Sequence, residues 1–179
     1  VGAEGSDTSV RREKPRKGAK EKGRKNTQSL AVPASVKRWL REEEVYDCRM
    51  EGTVGVAIPK VWSTLYDCLK DRLHLLHAGV TLGELKGKDW QPHHALAMST
   101  ALNKEAFPEA ELTYEQAIAY LRKEAITLDA SVPRGYILLT YKNIPLGFAK
   151  NIGNRANNLY PQEWRIRSGY LPEELSFVC

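Results

Sequence analysis

Residues 145–172 read PLGFAKNIGNRANNLYPQEWRIRSGYLP, and this stretch decides the fold of the second half of the chain. Residues 146–152 (LGFAKNI) read as a strand, and so do residues 135–141 (GYILLTY) just before them. A tight turn over residues 142–145 joins the two into a hairpin. Gly and Asn tolerate left-handed backbone, so residues 153–161 (GNRANNLYP) read as a loop. In residues 164–168 (WRIRS) apolar and cationic side chains alternate, which predicts a third short strand. In that strand Trp164 and Ile166 share a core face, and Arg165 and Arg167 share the solvent face.

Charge concentrates around this stretch. Residues 134–170 hold six basic residues and one acidic residue, a net +5. Six aromatic residues are interleaved with them: Tyr136, Tyr141, Phe148, Tyr160, Trp164 and Tyr170. Cationic side chains hold phosphates and aromatic faces stack bases, so the mixture suits RNA. Lys142, Lys150, Arg155, Arg165 and Arg167 are the candidate phosphate contacts. Asn157 and Asn158 can both donate to and accept from base edges, and Tyr160 can stack. The bland alternative is a solvated β surface with asparagines as turn formers.

A second basic segment opens the chain. Residues 1–30 carry nine basic and four acidic residues but almost no large apolar side chain before Leu30. Such a segment cannot bury enough surface to offset its ordering entropy, so it is expected to be a disordered basic linker. The chain begins with Val rather than Met, which suggests a piece of a longer protein.

Between these segments the pattern is mixed. A short helix is expected over residues 35–44, a strand over 53–58, and a helix over 59–72 with Val61, Trp62, Leu65, Leu69 and Leu73 at helical spacing. Residues 75–78 and 80–85 read as strands, and a helix follows Pro92 to about Leu102. Thr113 and Gln116 form a capping-box signal for a helix over 114–124 that buries Ala117, Ile118 and Leu121. The expected class is α+β. A disordered tail (1–30) and a small α/β domain (31–108) precede a β-barrel with a leading helix (109–179).

Several chemistries are disfavoured. With 42% hydrophobic residues in 179 the chain can build a core, yet no apolar run approaches the ~20 residues of a membrane span. Three widely spaced cysteines fit a reducing cytoplasm rather than a disulfide framework. Cys48, Cys68 and Cys179 lack neighbours that favour thiolate, and Cys68 is expected in the core. His93 and His94 are adjacent and point to different sides of a helix, and no CxxC exists, so no metal site is expected. No P-loop, serine nucleophile or kinase signature occurs.

Residues 145–172 resemble the C-terminal PUA-like module of the Sun (Nol/Nop/Sun) RNA cytosine-5 methyltransferases, closest to the RsmF-like bacterial branch that modifies 16S ribosomal RNA. Residues 78–99 (AGVTLGELKGKDWQPHHALAMS) are similar to the small domain before that module, and residues 117–128 (AIAYLRKEAITL) to the join. The resemblance implies an S-adenosylmethionine-dependent parent enzyme with a Rossmann-like catalytic domain upstream. The family works with one cysteine after Thr and one after Pro, whereas Cys48, Cys68 and Cys179 follow Asp47, Asp67 and Val178. No catalytic residue and no cofactor are therefore expected in this chain. Its expected partners are 16S-like ribosomal RNA and its own upstream catalytic domain, with no membrane and no metal, as a cytoplasmic monomer. Two other readings stay open: a structural module that packs on the catalytic domain without touching RNA, and a stand-alone PUA-type RNA-binding protein.

Overall fold

The computed structural model describes residues 1–2, 31–153 and 155–170. The expected linker therefore lies, beyond its first two residues, outside the described residues, and so do Asn154 and Cys179.

Helices and strands are combined in two four-stranded sheets. After the one-turn helix α1 (Ala34–Lys37), β1 (Tyr46–Glu51), β2 (Val54–Pro59), β3 (Val80–Lys86) and β4 (Asp89–Pro92) form an antiparallel meander in sequential order. Helix α2 (Ser63–Lys70) lies between β2 and β3. The one-turn helix α3 (His94–Ala97) leads out of the first sheet. The second sheet comprises β5 (Glu109–Glu111), β6 (Gly135–Tyr141), β7 (Ile144–Asn151) and β8 (Ala156–Asn158), with helix α4 (Tyr114–Leu121) between β5 and β6. β5 runs parallel to β6; the other pairs are antiparallel.

The β6–β7 hairpin is formed as the sequence predicts. Tyr141 pairs with Ile144 across a two-residue turn, and Lys142 and Asn143 both have positive φ, 50° and 62°. That left-handed pair matches the twist of the flanking strands. β6 is buried on both faces. Ile137 and Leu139 pack with Leu112, Ala117, Tyr120, Ile126 and Ala149. Leu138 turns the other way and joins Phe148 in one cluster with Val32, Val36, Leu40, Leu82 and Leu96. Each sheet thus contributes to a common core.

Several expected elements differ. The helix over 35–44 shortens to α1, followed by a 3-10 turn at Glu43–Val45. Residues 75–78 are irregular, and the helix expected after Pro92 is the single turn α3, because Asp89–Pro92 pairs with β3 instead. Leu65 and Leu73 turn outward while Tyr66 is the buried residue of α2, and Cys68, expected in the core, is exposed. Residues 164–168 form no strand. Gln162–Trp164 is a 3-10 turn and residues 165–170 run without ladder partners, so the alternation of WRIRS has no sheet to act on. Trp164, expected in the core, is 58% exposed.

Candidate nucleic-acid interface

The hairpin and the C-terminal end of α4 position the candidate residues. α4 opens on the predicted capping box: Thr113 Oγ1 accepts from Gln116 N at 3.3 Å, and Gln116 Oε1 accepts from Thr113 N at 3.0 Å. Its far end is tied to β8 by Asn158, whose Nδ2 donates to Tyr120 O at 2.8 Å and Glu124 O at 3.1 Å. Asn158 Oδ1 accepts from Tyr160 N at 2.9 Å. Every polar atom of that amide is therefore engaged with backbone, so Asn158 is a structural tie.

Tyr160 is also committed. Its ring meets Tyr120 at 5.4 Å and His94 at 5.1 Å, both edge to face. Tyr120 is fully buried and donates its hydroxyl to Phe148 O at 3.0 Å, and burial pushes that phenol well above its usual range. Gly147 makes room for it: a Cβ there would lie 2.2 Å from the Tyr120 hydroxyl, and φ is +145°. His94 is buried beside this group, and burial pushes its imidazole down.

Lys150 and Asn157 are register partners across β7–β8, and Tyr136 pairs with Lys150 on the other side. Lys150 Nζ stands 5.0 Å from the Tyr136 ring centroid and 4.0 Å from Asp89 Oδ2. Tyr136, Lys150 and Asn157 thus form one row across the sheet. Lys142 is at the opposite end, in the turn, over the Tyr141 ring at 5.3 Å. Strand rise separates that turn from the Lys150 row by roughly 20 Å. Lys142 is not gathered into the same patch.

Arg155, Arg165 and Arg167 are exposed, and no ion pair joins them to a carboxylate among the described residues. Arg165 and Arg167 line one cavity of about 340 Å³ together with Arg122 and Glu124. The segment is pinned there: Ile166 N donates to Leu121 O at 3.0 Å, and Arg122 Nη2 donates to Ser168 O at 2.9 Å and Tyr170 O at 3.1 Å. Lys123, next along the chain, donates to Tyr160 O, and burial lowers its ammonium from the usual lysine range. Arg122 and Lys123 escape sequence reasoning, since only the folded chain brings the end of α4 against residues 160–170. Their one local signal is a pair of cations after a helix, where they also favour the helix dipole.

The comparisons with known proteins concern the same region. A family model described as "Methyltransferase RsmF PUA domain" matches residues 107–166. Similar curated proteins are named "Ribosomal RNA small subunit methyltransferase F". That of Aliivibrio fischeri (strain MJ11) is 32% identical over 147 residues, 82% of this chain and 28% of the relative. That of Erwinia tasmaniensis is 28% identical over 144 residues, 79% of this chain and 26% of the relative. That of Escherichia coli O139:H28 is 33% identical over 107 residues, 59% of this chain and 22% of the relative. The chain spans only about a quarter of the length of these relatives.

Proposed function

This chain belongs to the RsmF methyltransferase family, with residues 107–166 as its PUA domain, and on that premise we propose that it is the RNA-binding region of a ribosomal RNA 5-methylcytosine methyltransferase. It holds small-subunit ribosomal RNA for an upstream catalytic domain that lies outside these 179 residues. S-adenosylmethionine serves that catalytic domain and has no site in this chain. The protein works as a cytoplasmic monomer. Residues 31–108 form its small α/β domain, and residues 109–179 form a PUA-like barrel built on the second sheet. The change of sheet between Pro92 and Glu109 supports that division.

The observation that carries the reading is the pair of exposed guanidiniums at Arg165 and Arg167, without a carboxylate partner among the described residues, in one cavity at the end of the segment that matches the PUA family. Lys150, Arg155 and Asn157 extend the RNA-facing surface on β7, β8 and the loop between them, and Lys142 reaches a more distant phosphate. Asn158 and Tyr160 contribute by holding that surface in shape.

The test is titration of a ribosomal RNA fragment at two salt concentrations. Arg165→Ala with Arg167→Ala should weaken binding without changing the melting temperature. Each lost phosphate contact should lower the salt slope by about 0.7–0.9. Unchanged binding at both salts would refute this face as the RNA site. A second reading, a module that packs on its own catalytic domain, is favoured by one observation. Val61, Trp62, Leu65, Leu73 and Leu76 are all exposed on and around α2. That apolar surface and the RNA surface are on different elements, so both roles are compatible.

A further inference from the structure

We propose that Trp164 and the arginine-lined cavity formed by the residues that follow it form a site for one unpaired nucleotide of RNA, with the indole stacking on the base and the guanidiniums holding the adjacent phosphate. The proposal rests on the RNA-binding reading and narrows its substrate to single-stranded RNA.

Trp164 has the exposure of a platform rather than of a core residue. It is nevertheless held in place. Its ring meets the buried His94 edge to face at 5.3 Å, and its backbone N–H donates to Pro161 O at 3.3 Å. The chain after it is pinned by Ile166 to the end of α4 and by Arg122 to Ser168 and Tyr170. A large aromatic side chain that is ordered before binding loses little conformational freedom when a base stacks on it.

The cavity supplies the charge. Arg122, Arg165 and Arg167 outnumber Glu124 in its lining. The Nε of Arg122 is buried and has no hydrogen-bond partner among the described residues. A buried donor normally has an acceptor, and a phosphate oxygen in this cavity is one that the chain does not itself provide. Arg165 follows Trp164 directly in the chain, so the same short segment carries the exposed indole and opens the arginine lining of the cavity. Bases inside a duplex are stacked and cannot reach an indole, so the arrangement selects an unpaired base.

The experiment uses the whole chain with two probes, an unstructured eight-nucleotide RNA and a blunt-ended, fully paired RNA duplex. Binding of the single strand should quench indole emission, and the quench should vanish in Trp164→Phe while most of the affinity stays. Trp164→Ala should weaken single-strand binding at least about tenfold and leave duplex binding unchanged. Should the alanine variant melt early, the quench in Trp164→Phe carries the test. Persistence of the full quench in Trp164→Phe, or equal loss for both probes, overturns the nucleotide site. If Trp164→Ala binds normally while the double arginine variant does not, the RNA reading stands and only this site falls. If the parent chain binds neither probe, the RNA reading itself has failed.

Discussion

Helices α2 and α4 are each eight residues long, and both carry apolar residues at helical spacing. Their fates differ. α4 buries Ala117 and the whole of Tyr120 against β6, whereas α2 buries Tyr66 alone and leaves Leu65 open. What separates them is what holds their ends. α4 has a capping box at its start and Asn158 at its finish. α2 has no side-chain cap, and it meets the first sheet through Tyr66, which packs with Val56 and Ile58, and through two polar links: Arg49 pairs with Asp67, and Tyr66 donates to Glu51. The guanidinium of Arg49 holds the Asp67 carboxyl below its ordinary range, and the Tyr66 hydroxyl does the same for Glu51. These polar links and the packing of Tyr66 on Val56 and Ile58 turn the Tyr66 face of α2 toward the sheet and leave Leu65 outward. A hydrophobic period therefore marks a helix without saying that its apolar stripe is covered.

The contrast can be broken most forcefully at Tyr120. Tyr120→Ala should destabilise the chain by about 3–5 kcal/mol, because it empties the centre of the α4–β6 core and leaves Phe148 O with Leu159 N as its one remaining donor. Chemical denaturation measures this, and a loss under 1 kcal/mol would show that the α4–β6 core does not depend on Tyr120. Asn158→Ala comes next, at about 1–3 kcal/mol, since Tyr120 O and Glu124 O both lose the amide that ties them to β8. Hydrogen exchange should then rise first at the end of α4. At the other end of the helix, Thr113→Ala should remove about 1 kcal/mol, with Thr113→Ser nearly neutral. The smallest effect belongs to α2: Val61→Ala and Leu65→Ala should each change stability by no more than about 0.5 kcal/mol in the free chain. Melts that drop sharply for either would show that the α2 stripe is covered after all.

The parts of the fold that sequence made legible are those whose signals are local. The capping box of Thr113 and Gln116 lies within four residues, and the β6–β7 hairpin needs only two apolar runs and a turn between them. β8 was not legible because Ala156–Asn158 has little β propensity; it is a strand through its pairing with β7 and its service to α4. β5 is three residues with Glu at both ends, recruited in parallel by β6. The WRIRS alternation predicts a strand and a core place for Trp164, but the segment joins no ladder, and Ile166 N donates instead to Leu121 O of α4. The candidate site divides in the same way. Arg165 and Arg167 were found by charge, whereas Arg122 reaches them only through the tertiary contact of residues 165–170 with α4. Asn158 has the residue type of a base reader, and only its three backbone partners identify it as a tie.

The shared core has a consequence for how the chain can be divided. Leu138 and Phe148 of the second sheet are packed in the same cluster as Val32, Val36 and Leu96. A fragment that begins at the second sheet would present both side chains to water on a strand pair that is otherwise well formed. Contiguous apolar surface of that kind promotes self-association. Limited proteolysis should accordingly yield either the joined pair of sheets or small peptides, and recombinant expression of the second sheet alone should yield insoluble protein. Heat should melt the two sheets in a single calorimetric peak, so the proposed RNA-binding surface and the sheet before it share one thermal fate.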